Sequence, residues 1–452
     1  MELLTITAAL EQLQSGQTTS TTLVENCLDK ITQLDHKLNT FICVTADEAR
    51  EAAQQADRER REGNAKGLLH GIPLSIKDLI DVSGLATTAG SKARIDHVAQ
   101  NSSVITKRLR AEGTILIGKC NLHEFALGTT GEDSAFGITI NPFAENHSAG
   151  GSSGGSAASV AAGMALASIG TDTGGSIRIP AAACGVVGLK PTFGELSCQG
   201  VVPLSPSLDH IGPLGLTVDD VALVYTAMRS EQIKANTSTV GPPKIEGPFR
   251  IGLPSNYFLE LIDPEVSARF SDALEHMRNA AWLINKITIP HAADIPETYK
   301  HIQLYEAFHT HAELLTRRSA DFTCGVRQRL ELGGTIEVSQ YKRAQEMRQT
   351  LRQEVDEALQ QNHALILPTL AIPAPALGTK TITLNSKTLE LRSLMLRLTQ
   401  LFNLTGHPSV SIPYPQKMRH GLPCGVQLVG HHNKTSELLR IASSYEKIFR
   451  YS

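Results

Sequence analysis

Apolar positions along the first third of the chain alternate between two periods, one near 3.6 residues and one near 2. Residues 6–33 (ITAALEQLQ, then STTLVENCLDKITQL) place apolar side chains at helical spacing, with Ser20 or Thr21 as the N-cap. LNTFICV at 38–44 reads as a strand, and the Ala/Glu/Arg/Gln-rich run 46–63 as a helix with a solvated charged face. Ile72, Leu74, Ile76, Leu79 and Ile80 surround Lys77 and mark a strand entering the core. A loop at 91–99 follows, then a helix at 103–112 with Lys107, Arg108 and Arg110 outward, then a buried strand at 115–118. Strand and helix alternate, so an α/β core is expected.

Further on, an Ala-rich run at 157–167 predicts one tightly packed helix between two Gly/Ser turns. PPKIEGP at 242–248 is a turn-rich connector leading to a strand at 249–253. Long helical patterns then dominate 264–362. A buried strand at 364–368 (ALILP), a helix at 391–403, strands at 409–413 and 424–429, and a closing helix at 436–445 complete the pattern. No internal repeat is evident.

Composition narrows the function classes. At 452 residues the chain can bury a large core, and its net charge of −3, with both signs interspersed, leaves no basic stripe for nucleic acid. A small neutral or mixed substrate is expected instead. The 7 cysteines form no C-x-x-C pair, which fits reduced thiols in the cytoplasm. The start, MELLTITAALEQLQSGQ, lacks the basic and apolar runs of a signal peptide, and no stretch of about eighteen apolar residues predicts a membrane span.

Candidate chemistry concentrates between Gly150 and Gly194, GGSSGGSAASVAAGMALASIGTDTGGSIRIPAAACGVVGLKPTFG. Glycine turns bring backbone N–H groups close to a ligand, as an oxyanion hole requires. A flexible linker would not be followed by an apolar run, and a phosphate loop would need a Lys-Ser or Lys-Thr pair after the glycines. A serine nucleophile needs a base within hydrogen-bond reach. The only histidine near either Gly/Ser turn is His147, and Gly151-Ser152-Ser153-Gly154 has the wrong spacing for a Gly-x-Ser-x-Gly elbow. Lys77 supplies a base only if neutral, and at the ordinary pKa about one lysine in 2,500 is neutral at pH 7. Burial among apolar neighbours would lower that pKa, while Asp78 points to the opposite side of the strand. His123-Glu124 lacks the second histidine of a zinc motif and His431-His432 reads as a surface turn, so no metal and no cofactor are expected.

These segments resemble the signature of the amidase signature family of serine hydrolases. The resemblance rests on GGSSGGS, on GTDTGGSIRIPAAACGVVGLKPT, and on His70-Gly71-Ile72-Pro73-Leu74-Ser75-Ile76-Lys77-Asp78, and extends over about 20–225 and 364–447. It implies a single α/β/α domain over 1–452 with a large mixed central sheet. Within it lie an N-terminal helical segment at 1–65, a signature core at 66–225 and a variable helical cap at 254–362. It further implies Ser176 as nucleophile, Ser152 as bridging serine after a cis Gly151–Ser152 peptide, and Lys77 as base. The N–H groups of Thr173, Gly174, Gly175 and Ser176 would form the oxyanion hole. Ser153 would support the bridging serine, and Arg178 and Asp172, which flank the nucleophile, are expected to form a structural ion pair or cap the turn rather than take part in the chemistry. Phe125, Gly128, Thr129, Thr130 and Gly151 would line the acyl pocket, with Tyr305, Phe308, Leu314, Phe322 and Tyr341 as further contacts from the cap. Gly215-Leu216 stands where relatives commonly carry an Arg.

The expected activity is hydrolysis of a carboxylic amide of a small, partly apolar substrate through an acyl-enzyme, with esters and carbamates as further substrates. The protein would act without nucleic acid or membrane, alone or as a homodimer. Two alternatives stand beside it. One is the A subunit of glutamyl-tRNA amidotransferase, which hydrolyses glutamine. That subunit carries an acidic residue shortly before its Asn-Leu-x-Gly stretch, where this chain has Leu394, Met395 and Leu396 between Arg392 and Arg397. The other is a non-catalytic member that only binds a small molecule.

Overall fold

The computed structural model describes residues 3–229, 248–418 and 421–450. Among these residues fifteen strands run in chain order: β1 Phe41–Val44, β2 Pro73–Lys77, β3 Ile115–Cys120, β4 Ile140–Asn141, β5 Ala144–Ser148, β6 Ala167–Asp172, β7 Val187–Lys190 and β8 His210–Gly215. They continue as β9 Arg250–Pro254, β10 Leu283–Ile287, β11 Ala364–Pro368, β12 Thr381–Leu384, β13 Lys387–Glu390, β14 Ser409–Pro413 and β15 Gly425–Val429. Eleven of them form one sheet in the order β1-β3-β2-β6-β8-β7-β14-β15-β11-β9-β10, and β4-β5 and β12-β13 are separate hairpins. The sheet is mixed. β2 runs parallel to β3 and β6, and β9 runs parallel to β10 and β11, while β6-β8-β7-β14-β15-β11 alternate in direction. This is the α/β core that the sequence pattern predicts, with the large mixed sheet that the resemblance implies.

β2 is buried on both faces. Such a strand reads as a continuous apolar run, which is why 72–80 stands out in the sequence. The helix Gly154–Ala161 crosses it, with Ser75 Oγ and Ser159 Oγ 3.0 Å apart. Gly155 lets the helix start sit against the ends of β1 and β3, because a Cβ there would lie 2.5 Å from the carbonyl oxygens of both Asn121 and Thr40.

Several boundaries differ from expectation, each for a local reason. The second helix, Ser20–Leu38, is capped by Thr19, because the N–H groups of Ser20 and Thr21 are held by Asp57 of the next helix. That second helix runs through Leu38, so the strand begins only at Phe41. Arg108 is half-buried and donates to Met228 O at 2.9 Å. The loop at 91–99 holds a 3-10 turn, Lys92–Arg94. The Ala-rich helix starts in the glycines and stops at Ala161, and Ala167–Asp172 is strand β6. The helix expected at 391–403 is two short ones, Leu391–Leu396 and Leu401–Leu404, and the last helix spans Thr435–Arg450. Most of the connector at 242–248 lies outside the described residues. The stretch expected to form a helical cap carries the helices Pro264–Asn279, Ile295–Arg318, Cys324–Gly333 and Val338–Gln360, and also the edge strand β10. Among the described residues no helix is long and apolar enough to cross a membrane.

Candidate active site

Lys77 ends β2 beside the parallel strand β6, and it is completely buried. Its Nζ lies 2.7 Å from Ser152 Oγ, 2.9 Å from Ser153 Oγ and 2.8 Å from Thr171 Oγ1. Burial pushes its pKa down to about 7, against the opposing pull of Asp172 and Asp209. Asp78 does not cancel the shift: it turns to the other face, where it meets Lys119 at 2.6 Å. A neutral amine has two N–H groups and one lone pair, so one of the surrounding hydroxyls must donate to it. Ser153 is poorly suited, since its hydroxyl donates to Thr171 O at 3.1 Å. Ser152 Oγ is free to donate to Nζ, and the Gly151–Ser152 peptide is cis.

The turn after β6 carries Ser176, which is 6 % exposed. Ser153 N donates to Ser176 O at 3.2 Å, tying the two serine-bearing segments together. Asp172 organises the turn: its carboxylate accepts from Gly175 N at 2.8 Å and Ile177 N at 3.1 Å, and forms a two-pronged pair with Arg178 at 3.0 and 2.9 Å. Burial would raise the Asp172 pKa, but the Arg178 guanidinium overrides it and holds the carboxyl well below the usual range. Arg178, fully buried, continues to Thr399 O, Gln427 Oε1 and Asn403 Oδ1 at 3.0, 2.6 and 2.7 Å. The ion pair expected of these two residues is therefore one of a wider buried set. It also alters the expected oxyanion donors, because the Gly175 N–H is directed at Asp172 rather than outward. Thr173 Oγ1 donates to Asp209 Oδ1 at 2.6 Å, and burial lifts the Asp209 carboxyl to about 6.

One cavity borders this turn, and a larger one lies behind the side chains that cover Gly174. The larger, about 660 Å³, is lined among others by Tyr299 and Leu396. Both reach Gly174, where an added Cβ would lie 2.2 Å from Tyr299 Oη and 3.1 Å from Leu396 Cδ2. The smaller, about 270 Å³, lies against Ala126, Thr171, Thr173 and Asp209.

The segment expected to form an acyl pocket is nearby but turned differently. Phe125 is buried against His311 and Phe322, at ring-centroid distances of 4.6 and 5.0 Å, and lines neither cavity. Gly128 lies under the His123 ring, Thr129 is buried, and Gly151 packs on the backbone of Thr129, Thr130 and Gly131. Tyr305 stacks on Tyr341 at 4.4 Å, Phe308 covers Gly333 and Gly334, and neither these residues nor Leu314 or Phe322 lines either cavity. The larger cavity instead takes Tyr299, Gln303, Arg329, Arg392 and Arg397. The apolar lining expected from Leu394, Met395 and Leu396 is thus only partial, because Met395 turns into the core and both flanking arginines line the space. The sequence flags Arg392 and Arg397 by their place in that turn but gives no sign that Tyr299, Gln303 or Arg329 would join them. His123 pairs with Asp133 at 3.4 Å and Glu124 accepts from Thr323 N at 2.8 Å. Among the described residues no cluster of metal-ligating side chains occurs.

Comparison with known proteins gives concordant results. The family model described as Amidase matches residues 22–439. The A subunit of the glutamyl-tRNA(Gln) amidotransferase of Chloroflexus aggregans is 36 % identical over 98 % of this chain and 96 % of its own length. A crystal structure of an amidase superposes with a TM-score of 0.92 at 34 % identity, covering 98 % of this chain and 99 % of that one. The peptide amidase of Stenotrophomonas maltophilia follows with a TM-score of 0.82 at 29 % identity, covering 99 % and 97 %.

Proposed function

Because the chain belongs to the amidase signature family, we propose that it is a serine hydrolase cleaving a carboxylic amide of a small substrate through an acyl-enzyme on Ser176. Esters and carbamates fall within the same chemistry, since only the protonation of the leaving group differs. Lys77 is the base. Its amine, with a pKa of about 7 and so neutral in a substantial fraction of the molecules at neutral pH, takes the Ser152 proton while Ser152 takes that of Ser176. The Ser176 oxygen attacks the carbonyl carbon, and the N–H groups of Thr173, Gly174 and Ser176 receive the oxyanion. Ser152 then returns its proton to the departing amine, and water releases the acyl group by the same relay in reverse. Ser153 and Arg178 position the groups that react.

The observation that carries this reading is the Lys77 amine, fully buried and set among hydroxyls at 2.7–2.9 Å. A panel of amide, ester and carbamate substrates with chromogenic leaving groups tests it, with glutamine as control. Hydrolysis that disappears in Ser176→Ala supports the assignment, and hydrolysis that survives it would point to another nucleophile.

A second reading, the glutamine-hydrolysing A subunit, is favoured by the 36 % identity to the Chloroflexus aggregans protein. Against it, the position where the resemblance calls for a carboxylate near the glutamine ammonium is taken by Leu394, Met395 and Leu396. Glutaminase activity that appears only when a partner protein is added would reverse the ranking.

A further inference from the structure

The loop between β7 and β8 is tied to the nucleophile turn on one side and to two helices of the 254–362 stretch on the other. Towards the turn, the Asp209 carboxylate accepts from Thr173 Oγ1 at 2.6 Å and from the N–H groups of Leu204 and Ser205 at 2.9 and 3.1 Å. Towards the helices stands Glu306, half-buried on Ile295–Arg318. One of its oxygens accepts from Ser205 Oγ at 2.6 Å and Ser207 N at 3.1 Å, the other from Ser207 Oγ at 2.6 Å and Tyr341 Oη at 3.0 Å. Arg348, on Val338–Gln360, donates to Ser207 O at 2.9 Å and Ser207 Oγ at 3.1 Å. Ser205 is completely buried and serves both sides, its hydroxyl going to Glu306 and its N–H to Asp209. Two carboxylates are thus joined through a single residue.

We propose that Glu306 is a positioning residue for the reaction at Ser176: by fixing Ser205 and Ser207 it sets where the Asp209 carboxylate meets Thr173, and so holds the end of the turn whose N–H groups receive the oxyanion. The inference rests on the hydrolase reading above. Glu306 lines neither cavity, so it acts through Asp209 and not on the substrate. A carboxylate suits the place because its two oxygens accept four donors at once. Asp209 also supplies a readout. Its charge raises the Lys77 pKa, as does that of Asp172, which stays paired with Arg178. Asp209 interacts electrostatically with Lys77, Glu306, Cys198 and Tyr299, and Glu306 with Tyr341 and Arg348. Burial lifts the Asp209 carboxyl to about 6, so it is charged where Lys77 titrates. Loss of the Glu306 charge alone would ease ionisation of Asp209 and leave it charged in that range. Displacement of Asp209 would instead let the Lys77 pKa fall.

The test measures kcat, KM and the pH profile of kcat/KM with the chromogenic panel in the wild type, Glu306→Ala, Glu306→Gln, Asp209→Asn and the double variant Glu306→Ala/Asp209→Asn. Glu306→Ala should lower kcat by about 10- to 100-fold, the cost of a misplaced reacting group, with KM little changed and the midpoint moved to lower pH. Glu306→Gln should restore most of both. Its amide oxygen can accept from Ser205 Oγ and Ser207 N while its N–H₂ donates to the Ser207 and Tyr341 hydroxyls. In the Asp209→Asn background Glu306→Ala should add little. An unmoved profile in Glu306→Ala, an equal shift in Glu306→Gln, or full additivity with Asp209→Asn would overturn the proposal. If Glu306→Ala does not fold, Ser205→Ala/Ser207→Ala loosens the same loop and carries the same expectations. A wild type that hydrolyses no member of the panel would remove the hydrolase reading alone, because urea denaturation still reads the loop. There the effects of Glu306→Ala and Asp209→Asn on the midpoint should be less than additive, and additive effects would overturn the proposal.

Discussion

At the scale of single residues the reading turns on which hydroxyl faces the lysine as a donor. Ser152 and Ser153 are adjacent in sequence and both reach Nζ, at 2.7 and 2.9 Å. They differ in where their protons go, because Ser153 donates to Thr171 O. Ser152→Ala should therefore lower kcat by on the order of 10²- to 10⁴-fold, the range of a lost proton-transfer group. Ser153→Ala should cost much less in rate and roughly 1 kcal/mol in stability, as read by p-nitroanilide hydrolysis and urea denaturation. With Lys77 at about 7 in the folded chain, kcat/KM should rise with pH to a plateau with a midpoint near that value. Asp209 raises the Lys77 pKa, so Asp209→Asn should move the midpoint to lower pH, and an unmoved profile would break that link. The same amine is neutral when folded and charged when unfolded between about 7 and 10.5. The unfolded chain binds more protons in that window, so this group's contribution makes stability rise with pH there and is flat on either side. Comparing denaturation of the wild type and Lys77→Met at pH 7 and 9 isolates it. The lysine and both serines are legible in the sequence because each lies in a motif, whereas Thr171 and Asp209 do their work through distances that no spacing reveals.

At the scale of elements, legibility follows from how distinctive each local pattern is. β2 is readable because a five-residue strand buried on both faces must be apolar apart from its functional residues. β6 is not, since Ala167–Asp172 continues an Ala-rich run and lacks the β-branched stretch that marks most strands. What separates helix from strand there is the turn at 162–166, in which Gly163 adopts a φ of +70°. The helix Gly154–Ala161 in turn depends on its glycine face. Gly155→Ala would force a methyl group to 2.5 Å from two carbonyl oxygens, with no flexible side chain to yield. A loss of about 1–3 kcal/mol is expected from such overpacking, together with reduced activity as Ser152 and Ser153 shift at the helix start. Unchanged urea midpoint and rate in this variant would show that the segment can move away as a unit.

At the scale of the whole molecule, the two parts of the sequence that resemble the family, about 20–225 and 364–447, meet on one buried guanidinium. Arg178 bonds Asp172 within the signature turn and reaches Thr399 O, Asn403 Oδ1 and Gln427 Oε1 from the other side of the chain. Gln427 lies on β15 and Asp172 on β6, strands separated in the sheet by β8, β7 and β14. The sequence pairs Arg178 with Asp172 by proximity but cannot show the other three partners, because they lie more than two hundred residues away. Removing one member of a buried ion pair leaves the other charge uncompensated, at a typical cost of about 3–5 kcal/mol. Arg178→Met should therefore destabilise the chain by that order and disorder the Ser176 turn, lowering kcat along with the denaturation midpoint. Arg178→Lys should fail almost as badly, since an ammonium cannot serve a carboxylate, two side-chain amides and a carbonyl from one planar fork. The wild-type pH dependence supplies the control. Asp172 has a folded pKa well below its unfolded value, so its contribution is fully present above the unfolded pKa and is lost as pH falls through the folded one. If Arg178→Met removes the ion pair as argued, that part of the acid-side slope should shrink in the variant, and an identical slope in both proteins would show that Asp172 is held by its backbone and Asn403 bonds instead.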